Sequence, residues 1–182
     1  AGSVGQVVES RNSDFEVGDI VQTTGGWQDF IIAAPDAGVM GLNKIPEGIS
    51  PELMMSALGV TGLTAYFGLL DLGDPKPGET VLVSGAAGAT GSVAGQIAKI
   101  KGCRVVGIAG GPEKCDWLKD ELSFDDVIDY KNEDVEASIA RTCPEKVDVF
   151  FDNVGGDTLE ATLNHINMKA RVILCGGISG YN

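Results

Sequence analysis

The chain has 182 residues with 26 acidic against 13 basic side chains, a formal net charge of −13, and that balance repels nucleic acid and anionic lipid, so both are set aside as partners. No run is long and apolar enough to span a membrane, and the cysteines at 103, 115, 143 and 175, beside a single histidine, show neither C-x-x-C spacing nor a disulfide framework, which favours a reducing, cytoplasmic setting. The length suits one ordinary domain, or one domain and part of another.

Taken in chain order, the start lacks Met and Val4 to Ser10 already reads as a strand, so the beginning is expected to be a cut. Strands are also expected over 18–21 and 27–34, with Asp36, Gly38 and Pro46 as turn signals. Residues 1–46 therefore read as part of a small β domain. Ser50, Pro51 and Glu52 make a helix start, as serine caps and proline fits the first turn. That helix runs toward Leu58, and a second covers Gly62 to Leu70, so 47–79 are connecting helices ending in the turn Asp74-Pro-Lys-Pro-Gly78.

From residue 80 the pattern alternates. Strands are expected at 80–84, 104–109, 126–130, 147–152 and 171–175, with helices near 91–101, 112–122, 133–142 and 157–167. The strands are continuous apolar runs, and the helices bury single faces such as Leu159, Leu163 and Ile166. The alternation predicts an α/β fold with a doubly wound parallel sheet. Five strands stand where such a dinucleotide fold has about six, so the sheet is expected to be truncated.

The run Val81-Leu-Val-Ser-Gly-Ala-Ala-Gly-Ala-Thr-Gly91 carries the chemistry: a short apolar strand, a glycine-rich turn and a helix. Such a turn brings backbone against a pyrophosphate, where a Cβ at Gly88 would collide, and the helix N-terminus supplies free N–H groups. Ala86 takes the place of the first glycine of G-x-G-x-x-G. Folds that bind NAD usually place Asp or Glu about 20 residues beyond this turn. Here Gly110 and Gly111 end the second strand and Lys114 follows. The glycines leave room for a 2′-phosphate and the ammonium neutralises it, so NADP(H) is the expected cofactor; the competing reading of Lys114 is a solvated helix residue.

The stretches Gly62-Leu-Thr-Ala-Tyr-Phe-Gly-Leu-Leu70, Gly85-Ala-Ala-Gly-Ala-Thr-Gly-Ser92, Gly95-Gln-Ile-Ala-Lys99, Asp152-Asn-Val-Gly-Gly156 and Cys175-Gly-Gly-Ile-Ser-Gly-Tyr-Asn182 together resemble the medium-chain dehydrogenase/reductase superfamily. Within it they resemble the zinc-independent alkenal, prostaglandin and curcumin reductases. The resemblance covers the chain and implies a Rossmann sheet over 80–182, incomplete at its C-terminus, preceded by part of a GroES-like β domain. It implies a piece of a longer protein, itself a homodimer, and a piece that is inactive alone.

The same resemblance implies that Gly88, Ala89, Thr90 and Gly91 contact the pyrophosphate, and that Lys114 and Tyr130 meet the 2′-phosphate. It places Thr64 and Asn153 near the nicotinamide, and Cys175, Gly176, Gly177, Ile178, Ser179 and Tyr181 along the cofactor. Thr90 departs from the aliphatic residue usual in the family's turn, a change that spares a backbone-mediated contact. Asn153 and Cys175 to Gly177 also follow the fourth and fifth strands, at the carboxyl edge where such sheets bind ligands. As alternatives, Asn153 shapes a turn, Tyr130 packs its ring, and Cys175 is a small buried hydrophobe.

No metal site is expected. Zinc-dependent relatives carry Gly-His-Glu where this chain reads Ala1-Gly2-Ser3, and no cysteine precedes Cys103. His165, at a helix end, is read as a favourable charge near that C-terminus. Without zinc or a histidine relay, alcohol oxidation is poorly served. The expected reaction is NADPH-dependent reduction of the C=C bond of an α,β-unsaturated aldehyde or ketone, with Tyr181 stabilising the enolate oxygen. The alternatives are a quinone reductase and a non-catalytic NADPH-binding or sensor protein.

Overall fold

The computed structural model describes residues 2–35 and 41–181; Asp36, Gly38 and Asn182 lie outside them. The chain divides into two compact units, Ala1–Thr61 and Gly62–Asn182. In the first, β1 (Gly2–Gln6), β2 (Ile20–Thr24) and β3 (Asn43–Lys44) form an antiparallel sheet in that order. The strand expected over 27–34 is not formed. Residues 25–34 are irregular, and Phe30 and Ile32 are exposed. The free edge of β2 is taken by Asn43–Lys44 instead, and propensity alone does not make a strand. The helix start at Ser50 is as read: its Oγ accepts from Leu53 N at 3.2 Å and caps α1 (Pro51–Met55).

The second unit begins within α2 (Val60–Phe67), which continues as a π-helical turn over Gly68–Gly73. The parallel sheet follows: β4 (Thr80–Val83), β5 (Arg104–Ala109), β6 (Asp126–Asp129), β7 (Val147–Asp152) and β8 (Ile166–Leu174), in the order β6-β5-β4-β7-β8. The helices between are α3 (Ala89–Ile100), α4 (Pro112–Asp120), α5 (Val135–Thr142) and α6 (Gly156–Leu163). Asp134 caps α5 by accepting from Ala137 N at 2.8 Å.

Alternation along the strands sorts the core into two layers. Val81, Val83, Val105, Val149 and Phe151 pack with Ala94, Ala98 and Leu118. Leu82, Val106, Ile108 and Phe150 pack with Ile139 and Cys143, and Val147 joins them where the β7 pairing slips before Val149. Successive side chains of a strand point to opposite faces, so both faces are apolar and both are covered. Each fully buried Val, Leu or Phe contributes roughly 1.5–3 kcal/mol. Because β4 pairs with β5 on one side and β7 on the other, the chain reverses direction across the sheet there. The crevice at such a reversal, outside the carboxyl ends of the strands, is where these sheets take ligands.

Several boundaries differ from the sequence reading: the strand expected from Val4 to Ser10 is Gly2–Gln6, that expected over 18–21 is Ile20–Thr24, and the helix expected toward Leu58 ends at Met55. The last helix ends at Leu163 rather than 167, and β8 already begins at Ile166. Ile166 packs against the Phe150 layer from the strand, not from a helix face. The His165 carbonyl accepts from Val147 N at 2.9 Å, which puts His165 at the amino end of β7, opposite the crevice; its Nε2 lies 3.7 Å from Glu136 Oε1. The β8 edge exposes Met168 and Leu174, but Lys169 takes φ 66° and the β7 pairing slips between Val147 and Val149. Such irregularities blunt an edge against further pairing.

The π-helical turn rests on the sheet through its glycines. A Cβ on Gly68 would come 3.0 Å from the Phe151 ring, and one on Gly73 would come 3.1 Å from Ile173. Arg171 of β8 closes this turn: its Nε donates to Gly73 O at 2.7 Å, its guanidinium reaches Asp74 O at 3.1 Å, and it pairs with Glu79. The Arg171 hydrogen bond holds the Glu79 carboxyl below its ordinary range.

Candidate cofactor site

At the crevice between β4 and β7 a groove of about 370 Å³ is lined by Gly88, Lys114, Tyr130, Val154 and Ile178, among others. Its floor is the turn from Gly85 to Gly88. Gly88 is the residue before α3, in extended conformation and with no side chain to cap the helix, so the N–H groups of Ala89, Thr90 and Gly91 in the first turn carry the positive end of the helix dipole with no capping side chain beside them. Gly91 is required by the fold itself. Its Cβ would press on Gly85 O and lie 2.9 Å from Ala86 Cα.

At the β5 end, Tyr130 is half exposed and its ring lies against Gly110. A Cβ on Gly110 would sit 2.7 Å from Tyr130 Cε1. This corrects the reading of Gly110 as vacant room: the space is filled by Tyr130, and glycine is needed to admit that ring. Gly111 has φ 96° with nothing near its Cβ position, and its N–H donates to Asp129 Oδ1 at 2.7 Å. That bond, and a second from Asn132 Nδ2, hold the Asp129 carboxyl below its ordinary range. Lys114 lies exposed in the first turn of α4.

At the β7 end, Asn153 is tethered. Its N–H donates to Ser84 Oγ at 2.8 Å and its Nδ2 to Ser84 O at 2.7 Å. The segment after β8 docks on the same turn: Ser179 N and Oγ both donate to Val154 O, and Cys175 N and Gly176 N donate to Asp152 O. Burial pushes the Cys175 thiol up, in keeping with a backbone role there. Tyr181 is 72% exposed, and its hydroxyl oxygen accepts from Gly177 N at 3.1 Å, which leaves its O–H free to donate.

Of the sequence-predicted residues, Gly88, Lys114, Tyr130 and Ile178 line the groove; Ala89, Thr90 and Gly91 follow Gly88 in the first turn of α3, and Asn153 and Cys175 to Ser179 lie in the segments that leave β7 and β8. Thr64, exposed on α2, does not line the groove, and neither does Tyr181, whose hydroxyl meets Gly177 N. Ser84, Asp129 and Asp152 were not singled out in the sequence. The available signal was a polar residue directly after an apolar run: Val81 to Val83, Val127 to Ile128 and Val149 to Phe151.

Among the described residues no three of His, Cys, Asp and Glu come together as metal ligands, and no helix is long and apolar enough to cross a membrane. Residues 89–182 match the family model described as zinc-binding dehydrogenase, and residues 1–42 match the N-terminal domain of oxidoreductase. A Bacillus subtilis protein described as an NADP-dependent oxidoreductase, YfmJ, is 52% identical over 183 residues, covering 100% of this chain and 52% of that protein. The NADPH-dependent curcumin reductase of Escherichia coli is 44% identical over 181 residues, again 100% and 52%. The crystal structure of CurA from Vibrio vulnificus in complex with NADPH matches with TM-score 0.86 and 44% identity, over 94% of this chain and 50% of that one. The chain spans about half the length of the curated relatives it matches. The chain belongs to the zinc-binding dehydrogenase family, in the zinc-independent reductase group of the medium-chain dehydrogenase/reductase superfamily.

Proposed function

We propose that the chain binds NADPH and serves its use in reducing the C=C bond of an α,β-unsaturated aldehyde or ketone. The observation that carries this reading is the groove at the β4–β7 crevice, floored by a turn without side chains at Gly85 and Gly88 and flanked by Lys114 and Tyr130. The naming of similar proteins for NADPH and for curcumin, itself a conjugated ketone, supports it. NADPH, when bound, supplies a hydride to the β-carbon of the substrate. The chain's own residues do the rest. The Gly88 to Gly91 backbone and the α3 dipole take the pyrophosphate. Lys114 and the Tyr130 hydroxyl take the 2′-phosphate. Asn153 and the Cys175 to Ser179 backbone orient the nicotinamide end. The Tyr181 O–H donates to the substrate oxygen as negative charge gathers there, while the α-carbon takes its proton from solvent or from that phenol. Four free cysteines, three of them buried, go with a reducing, cytoplasmic setting.

The test is NADPH consumption by the full-length protein with cinnamaldehyde, with product analysis. Saturated aldehyde as product, and a kcat lowered about tenfold or more by Tyr181→Phe, are the expected results. Cinnamyl alcohol as product overturns the C=C reading, turnover of menadione alone points to quinone reduction, and binding of NADPH without any turnover points to a non-catalytic binding protein.

A further inference from the structure

We infer that Ser84 and Asp152 act as a pair of positioning residues that set Asn153 and the segment after β8 for the nicotinamide end of the groove; this rests on the cofactor reading above. Ser84 donates its hydroxyl to Asp152 Oδ1 at 2.6 Å and accepts from Asn153 N at 2.8 Å on the same oxygen. Its carbonyl accepts from Asn153 Nδ2 at 2.7 Å, and its own N–H donates to Phe151 O at 3.1 Å. Every polar group of Ser84 is therefore spent on β7 and the turn that follows it.

Asp152 spreads that anchorage further. Its carboxylate accepts from Val154 N at 3.0 Å and Gly155 N at 3.1 Å, and its main-chain oxygen accepts from Cys175 N at 2.8 Å and Gly176 N at 3.0 Å. The pair joins three segments: the end of β4 just before the glycine turn, the turn from β7 into α6, and the chain leaving β8. Among the described residues Asp152 is the only charged residue that is fully buried. A carboxylate out of water is costly unless its lone pairs are met, and here each bond it accepts fixes a turn at the carboxyl edge of the sheet. Neither Ser84 nor Asp152 lines the groove, so both act through Asn153 and its neighbours. A small apolar residue at 84 would satisfy the core but leave Asn153 N without its acceptor and take one of three donors from Asp152 Oδ1.

The experiment compares wild type with Ser84→Ala in two readouts. Amide hydrogen exchange of the free protein is followed at Val154, Gly155, Cys175 and Gly176, with β5 amides as the internal control for folding. Dissociation constants are measured for NADPH and for its adenosine half, the nucleotide that carries the 2′-phosphate but no nicotinamide. Expected are faster exchange at those four amides with β5 unchanged, an NADPH affinity weakened about tenfold, and an adenosine-half affinity held within about twofold. Ser84→Cys, which keeps the volume with a weak donor, gives the same readout if the alanine variant does not fold. Equal weakening for both probes, no weakening, or unchanged exchange overturns the inference alone. A wild type that binds neither probe overturns the cofactor reading and this inference with it.

Discussion

Gly110 and Tyr130 occupy one space: the ring of the tyrosine lies where any side chain at residue 110 would begin, 2.7 Å from its Cβ position. The acidic residue that would grip adenosine ribose hydroxyls in an NAD-binding fold belongs at the end of this strand. It is excluded here by a neighbouring ring.

Gly110→Asp alone is therefore expected to displace Tyr130, weaken NADPH about tenfold and gain nothing for NADH. Gly110→Asp combined with Tyr130→Ala should gain NADH affinity. Thermal-shift titrations of both variants with both nucleotides check this, and a gain for NADH in the single variant would contradict it.

Lys114→Ala should weaken NADPH about tenfold while leaving NADH within about twofold. Because Lys114 is exposed, the wild-type preference should shrink as salt rises. Affinities measured at low and high ionic strength give the comparison, and a preference insensitive to both the mutation and salt would place the discrimination elsewhere.

The two glycines of the turn should separate fold from ligand. Gly91→Ala drives a Cβ into Gly85 O and Ala86 Cα, all backbone, so a loss of roughly 3 kcal/mol or failure to fold is expected in urea denaturation. Gly88→Ala meets only Gly85 O, at 3.1 Å. It should fold with a loss of about 1 kcal/mol or less and lose most NADPH affinity.

Glu79 links stability to pH. Its carboxyl is held below the ordinary 4.5 by the Arg171 hydrogen bond, so on acidification the unfolded chain takes up this proton before the folded one does. The contribution is whole above pH 4.5 and is lost as pH falls through the folded value. Arg171→Met should cost roughly 2 kcal/mol near neutral pH, and the gap from wild type should narrow below that point as the ion pair is lost. Urea unfolding across an acid series measures it; a gap that stays constant would assign the Arg171 contribution to the Gly73 and Asp74 carbonyls alone.

The parallel sheet was legible because its strands are apolar on both faces and bounded by glycine and proline, so Val81 to Val83 and Val147 to Phe151 fall where the pattern placed them. The glycine turn was legible for the same reason. Residues 27–34 were not, because a β-prone run does not say whether a neighbouring strand is free to pair with it. Ile166 was misassigned since apolar spacing at three and four residues carries on from α6 into the first residue of β8. The anchorage through Ser84 and Asp152 connects residues 68 apart, and no local pattern encodes a contact at that distance.

The Arg171 clamp sets an order of events for a chain made from one end. Glu79 and the carbonyls of Gly73 and Asp74 emerge first and wait for a guanidinium as much as 98 residues later in the sequence. Until β8 is translated and laid beside β7, the π-helical turn lacks both the Arg171 bonds and the Ile173 contact, so a nascent chain arrested before residue 171 should be open to protease near Gly73 and closed to it once β8 has docked.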